Sequence, residues 1–210
     1  MTPRRRGTFL VLEGIDGVGK STLLRGLARA LRRRGLSVAV RREPADPRLG
    51  ALAQSAAAED AWTGAVYFTV DRHLAAPALE RDLRRHDVVL QDRSFYSTLA
   101  YQGSAMSPRD RRRLSDLQRS ATVTPDRVVL LDLAPSEALR RLGGRDLERG
   151  PLERLRTLRR VARAYRILAR SNRWQVVDAR APPAELLRQV LDALDLPAPP
   201  RRRRPARRRR

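Results

Sequence analysis

The sequence predicts an α/β fold of three layers, a five-stranded parallel sheet with helices on both faces and a short lid. Three observations carry this prediction. Short runs of β-branched and large apolar residues alternate with longer helix-like stretches along the 210 residues. An acid closes or follows each apolar run. The first run feeds a glycine-rich turn and then an amphipathic helix, which makes a βα unit.

Taken in order, Thr8–Leu12 is the first strand and leads through Glu13 into Gly14-Ile-Asp-Gly-Val-Gly-Lys-Ser21. Leu23, Leu24, Leu27, Ala28 and Leu31 then recur at helical spacing, with Arg25, Arg29, Arg32 and Arg33 on the other face. Gly35 suits the C-terminal end of that helix. Ser37–Arg41 reads as a second strand, Asp87–Gln91 as a third, Val128–Leu131 as a fourth and Trp174–Val177 as a fifth. Helices are expected at Trp62–Arg85, Pro108–Ala121, Ser136–Leu142, Leu152–Asn172 and Pro183–Leu194. In parallel sheets ligands bind at the carboxyl ends of the strands. That edge here carries Glu13, Glu43, Asp92, Asp132 and Asp178.

Composition removes several classes of function. The chain has no cysteine, which excludes disulfides, thiolate metal sites and thiol chemistry. No apolar run approaches the roughly 18 residues of a membrane span. The N-terminus is basic but lacks a signal-peptide apolar region, so a cytoplasmic protein is expected. Of the net charge of +22, eight charges lie in Arg201–Arg204 and Arg207–Arg210 and three in Arg4–Arg6, leaving +11 for the rest. Residues 1–7 are read as a basic arm, 8–196 as one domain and 197–210 as a disordered Pro/Arg-rich tail. Only one of the 45 basic residues is a lysine, Lys20, so that lysine needs a reason.

The reason is the phosphate-binding loop pattern, Gly14-x-x-x-x-Gly19-Lys20-Ser21, set between a strand and a helix as the pattern requires. Glycines let backbone N–H groups turn inward around phosphate, and the helix start adds its positive end. Gly14, Ile15, Asp16, Gly17, Val18, Gly19, Lys20, Ser21 and Thr22 are therefore the expected ATP site. Lys20 would reach the β- and γ-phosphates, and the Ser21 hydroxyl would ligate Mg²⁺. A guanine reader of the N-K-x-D type is impossible without a second lysine. A motor ATPase would show a strand ending in two acids, whereas the third strand ends Gln91-Asp92-Arg93-Ser94. Asp92 offers a carboxylate to Mg²⁺ or its waters, and Arg93 a guanidinium to a phosphate.

Further along, the residues resemble thymidylate kinases, nucleoside monophosphate kinases of the P-loop class. The resemblance rests on Glu13–Thr22, Arg42-Glu43-Pro44, Phe68-x-x-Asp71-Arg72, Asp92-Arg93, Ser97-Thr98-x-Ala100-Tyr101-Gln102-Gly103 and Pro125-Asp126. It covers about residues 8–195. It implies transfer of a phosphoryl group from ATP to dTMP, giving dTDP, with Mg²⁺ and without a covalent intermediate. It also implies a homodimer.

Carried over residue by residue, the resemblance makes Asp16 a carboxylate that helps hold Mg²⁺ or the acceptor phosphate. Phe68 becomes the ring stacked on thymine and Arg72 the donor to a thymine carbonyl. Thr98 becomes a polar contact to the base, and Tyr101 the ring that crowds a ribose 2′-hydroxyl. Arg93 becomes the clamp between the two phosphates, with Glu43 and Gln102 on the acceptor side. Three of these have plainer readings. Phe68 could pack in the core with Val66 and Val70, Asp71-Arg72 could be a surface ion pair, and Tyr101 could be an ordinary half-buried tyrosine. The phosphate loop has no arginine, so lid arginines are expected after the fourth strand: Arg145 and Arg149 foremost, then Arg141.

The chain departs from the family at Ala45 and Asp46, where two glycines are usual, and at Ser94, where an aromatic is usual. These touch the acceptor side and leave room for another acceptor nucleotide. The arginine clusters support a second reading, a basic ATP-binding protein associated with nucleic acid, since nonspecific phosphate binding needs only such clusters. His73 and His86 fall on no catalytic pattern and are expected on the solvent side.

Overall fold

The computed structural model describes residues 7–143 and 151–194, without the side chains of 151–154. Strands β1 (Thr8–Glu13), β2 (Val38–Arg42), β3 (Val88–Asp92), β4 (Arg127–Asp132) and β5 (Gln175–Asp178) form one sheet in the order β2-β3-β1-β4-β5. All pairings are parallel, with Leu10 opposite Leu90 and Leu12 opposite Val129. The helices are α1 (Lys20–Arg33), α2 (Pro47–Glu59), α3 (Ala61–Arg85), α4 (Phe95–Tyr101), α5 (Pro108–Ala121), α6 (Pro135–Leu142), α7 (Pro151–Asn172) and α8 (Pro183–Ala193).

The two-residue period of β1 builds two cores. Leu10 and Leu12 face a layer made by α1, α7 and α8, including Leu27, Leu31, Val161 and Val190. Phe9 and Val11 face the opposite layer, with Leu79 and Leu83 of α3 and Phe95 and Tyr96 of α4. β1, the central strand, is almost entirely buried, whereas the edge strands leave Val40 and Val176 nearly half exposed. Each fully buried leucine of α1 contributes roughly 1.5–3 kcal/mol relative to exposure. That stripe pins the helix start under the end of β1.

The five expected strands and the helices expected beyond residue 61 are all present, with shifts of one residue or so at their ends. Gly35 follows α1 with φ 85°. Two helices escape the sequence reading. α2 is alanine-rich and has no contrast between its faces, and α4 is only seven residues long. His86 is half-buried, not solvent-facing, and its Nδ1 is buried with no partner among the described residues. His73 is exposed. The arginine arm, the arginine tail, and the lid positions Arg145 and Arg149 lie outside the described residues.

Candidate active site

The loop leaving β1 is shaped by its glycines. Gly17 has φ 84°, and a Cβ there would sit 2.5 Å from the Ala138 carbonyl oxygen, so no other residue fits without moving α6. Gly19 precedes α1 with φ 95°, and a Cβ there would meet nothing within 4 Å. That side is open. α1 has no side-chain cap and no acid in its first turn, so its positive end is left to an outside anion.

Lys20 is 6% exposed, and its Nζ donates to the carbonyls of Gly14 and Ile15, each at 2.9 Å. Burial, with the Arg93 charge adding to it, brings its pKa down to about 8. Ser21 Oγ donates to Asp92 Oδ2 at 2.8 Å, while Asp92 Oδ1 is buried with no hydrogen-bond partner among the described residues. An orphaned carboxylate oxygen beside a hydroxyl is a donor set for a hard cation. No group of three or more metal-binding side chains exists among the described residues.

Asp16 turns away from that pair. It accepts from Arg93 Nη2 at 2.5 Å and from the Tyr101 hydroxyl at 2.8 Å. Burial alone would raise its pKa, but the Arg93 and Lys20 charges and the Tyr101 bond outweigh it, giving about 2. Arg93 sits at φ 68°, a left-handed conformation rare outside glycine. Its N–H donates to Leu12 O, its carbonyl accepts from Gln91 Nε2, and its guanidinium carbon lies 5.1 Å from the Tyr101 ring centre. Its Nη1 also reaches Ser97 Oγ at 3.1 Å.

Glu13 underlies this cluster. It is fully buried and accepts from Ser94 N–H at 2.8 Å, Ser94 Oγ at 2.7 Å, Ser97 Oγ at 2.7 Å and Tyr165 OH at 2.9 Å. Burial raises its pKa against the pull of these bonds and of Arg93. The sequence reading gave Glu13 no role beyond its place after the strand and missed Ser97 and Tyr165 as its partners. A carboxylate continuing an otherwise apolar buried strand was the available signal.

On the acceptor side, Arg72 is 7% exposed. Its Nε donates to Glu43 Oε2 at 2.8 Å, Nη1 to Gln118 Oε1 at 2.6 Å and Nη2 to Thr98 Oγ1 at 3.2 Å. Glu43 in turn accepts from Gln91 Nε2 at 2.9 Å. The surface-pair reading of Asp71-Arg72 is overturned, since Asp71 is buried and accepts the N–H groups of Ala45 and Asp46 at 2.8 and 2.7 Å. Phe68 is half-buried and belongs to neither core, and Val66 and Val70 are nearly half exposed, so the core-packing reading fails as well. Thr98 is 2% exposed, while Tyr101 and Gln102 are half-buried on and just after α4. Glu43 and Arg72, with Phe9, Leu79 and Phe95, line a cavity of about 20 Å³ that has room for one water.

Two of the three departures have local reasons. Asp46 caps α2 by accepting from the N–H groups of Arg48 and Leu49. Ser94 caps α4 through Tyr96 N–H while giving its hydroxyl to Glu13. Of the five edge acids, Glu13, Glu43 and Asp92 enter the site. Asp132 and Asp178 pair instead with Arg166 and Arg180 on exposed surface. Arg141 is held by Glu137 at 2.8 Å and the Ala179 carbonyl at 3.0 Å.

Comparison with known proteins gives the family. The thymidylate kinase family model matches residues 12–190. A probable thymidylate kinase of Thermococcus gammatolerans is 39% identical over 159 residues, covering 68% of this chain and 73% of that protein. A thymidylate kinase of Paracidovorax citrulli is 36% identical over 212 residues, covering 91% and 94%. One from a Synechococcus species (CC9311) is 35% identical over 207 residues, covering 90% and 95%. With a loop built for phosphate, a caged arginine opposite it and matches running from end to end of the fold, the chain belongs to the thymidylate kinase family.

Proposed function

We propose that this protein transfers the γ-phosphoryl group of ATP to dTMP, giving ADP and dTDP. The observation that carries the reading is α4. One face of this short helix supplies Tyr101 to Asp16 of the phosphate loop and Ser97 to Arg93, and the adjacent position supplies Thr98 to Arg72. Donor and acceptor halves are therefore held by a single rigid element, as direct transfer between two bound phosphates requires.

In this reading the backbone of residues 14–22 and the start of α1 cradle the ATP phosphates. Lys20 exchanges its two loop carbonyls for phosphate oxygens as ATP enters. Ser21 and Asp92 would hold Mg²⁺, which shields phosphate charge when bound. Arg93, oriented by Asp16 and Tyr101, clamps the acceptor phosphate, whose oxygen attacks the γ-phosphorus in line as the bond to ADP breaks. Phe68 stacks on the base, Arg72 and Thr98 meet its polar edge, and Gln102 and Glu43 complete that side. Tyr101 crowds the 2′-position of the sugar. Arg145 and Arg149 are the proposed lid cations for the moving phosphoryl group.

The working domain is assigned to residues 8–196, a span that the family match over 12–190 supports. No helix among the described residues is long and apolar enough to cross a membrane. A cytoplasmic setting belongs to the same proposal, because ATP is the donor. A homodimer is also proposed, supported by Val66, Val70 and Leu74, which leave one face of α3 41–66% exposed. The tail arginines would add salt-dependent affinity for nucleic acid, which a chain lacking 197–210 should lose.

An ADP-release assay across dTMP, dUMP, dCMP, dGMP and dAMP tests the function. The expected result is the highest kcat/KM for dTMP. Faster turnover of another monophosphate would replace the acceptor, and no turnover of any would overturn the kinase reading.

A further inference from the structure

Gln118 is a buried polar side chain that neither the sequence pattern nor the proposed mechanism uses. It lies on α5, is 0% exposed, and its two amide ends meet different partners. The carbonyl Oε1 accepts from Arg72 Nη1 at 2.6 Å, and Nε2 donates to Thr69 Oγ1 at 2.6 Å. Thr69 spends its own proton on the Ala65 carbonyl at 2.7 Å, one turn back along α3. A hydroxyl has one proton, so Thr69 can only accept from Gln118. This fixes the amide's direction: its acceptor end must face the guanidinium. A flipped amide would set two donors against each other at a fully buried position.

The consequence falls on Arg72. A guanidinium has five N–H donors in one plane, and Glu43, Gln118 and Thr98 occupy one on each nitrogen. Three bonds, to the loop after β2, to α5 and to α4, hold the group in place and leave about two N–H donors to spare. We propose that Gln118, oriented by Thr69, is a positioning residue for acceptor-base recognition: it locks Arg72 so that the spare donors meet a carbonyl oxygen and refuse an amino group at the same place. The inference rests on the dTMP reading above and deepens it. Arg72 has no acceptor atom, so discrimination depends on its being unable to swing away from a base that presents N–H. Gln118 touches no nucleotide in this account.

The test compares Gln118→Leu, Gln118→Glu and Thr69→Val with wild type for kcat and KM on dTMP and dCMP, KM for ATP, and thermal midpoint. Gln118→Leu should raise the KM for dTMP by about tenfold or more, as for a lost buried hydrogen bond. It should also lower the dTMP-over-dCMP ratio of kcat/KM by about fivefold or more, with kcat and the KM for ATP within about threefold of wild type. Gln118→Glu returns an acceptor to Arg72 and should restore most of the ratio even where the midpoint falls. Thr69→Val frees the amide to flip and should shift the ratio the same way by about threefold, which keeps the proposal testable should Gln118→Leu not fold. Wild-type KM and ratio in both Gln118→Leu and Thr69→Val, or in Thr69→Val alone where Gln118→Leu does not fold, would overturn it, as would a change confined to the midpoint. The wild-type arm separates the two ideas. If wild type prefers another monophosphate, the dTMP reading fails, and the same variants read on that acceptor still decide the role of Gln118.

Discussion

Lys20 and Asp16 show how one ungapped loop prepares two opposite charges. Lys20 is buried among carbonyls and lies close enough to Arg93 to be depressed to about 8, whereas Asp16 is held near 2 by the same arginine. Asp16 therefore keeps its charge across the physiological range, and the titrating group is the lysine. With a folded pKa below its ordinary value, Lys20 is charged below about pH 8 and neutral above it. In the free enzyme, kcat/KM for ATP should fall about tenfold per pH unit above that point. Bound triphosphate raises the lysine pKa again, so kcat should stay level to higher pH than kcat/KM does. Initial rates from pH 6.5 to 9.5 check this. Parallel profiles, with both constants level to about pH 9.5, would show that burial does not bring the Lys20 pKa down to about 8.

α4 is the element on which the site turns, and its start is held by more than a cap. Ser94 accepts from Tyr96 N–H, and its hydroxyl donates to the fully buried Glu13. Losing a cap costs about 1 kcal/mol, and a buried carboxylate that loses a donor costs about 1–3 kcal/mol. Ser94→Ala should accordingly lower unfolding stability by about 2–4 kcal/mol. Urea denaturation measures it, and a loss under about 0.5 kcal/mol would mean that the Ser94 bonds to Glu13 do not hold α4. The aromatic usual at this position in the family could not replace both bonds. Ser94 thus belongs to the scaffold under Arg93.

For the whole molecule, the open question of assembly falls on α3. Its inner face buries Leu79 and Leu83 under the sheet and Arg72 in the site, while Val66, Val70 and Leu74 stand outward at four-residue spacing. A second copy covering this stripe would bury apolar surface close to Phe68 and Arg72, so assembly and acceptor binding would share one helix. Leu74, 66% exposed, is the place to test it. Leu74→Asp should turn a dimer into a monomer at micromolar concentration, read by light scattering, with little loss of thermal midpoint if α3 packs inward unaided. A wild-type chain that is already monomeric would end the dimer proposal.

What the sequence determined by itself is what local pattern can encode. The glycine spacing before Lys20, the period-two strand Thr8–Leu12 and the leucine stripe of α1 each need only neighbours within a few residues. They fixed the phosphate loop, its place at the end of a central strand, and the layered parallel sheet. Phe68, Arg72, Thr98 and Tyr101 were legible only through resemblance. Tertiary structure alone decided who partners whom: Glu13 with Tyr165 across 152 positions, Arg93 with Asp16 across 77, and Arg72 with Gln118 across 46. Composition and spacing carry no trace of such pairs, because any of the many arginines satisfies the same pattern. The choice among them is made by desolvation. A buried carboxylate, guanidinium or amide survives only where the fold delivers a matching donor or acceptor at hydrogen-bond distance, and that delivery depends on how helices α3, α4, α5 and α7 settle on the sheet.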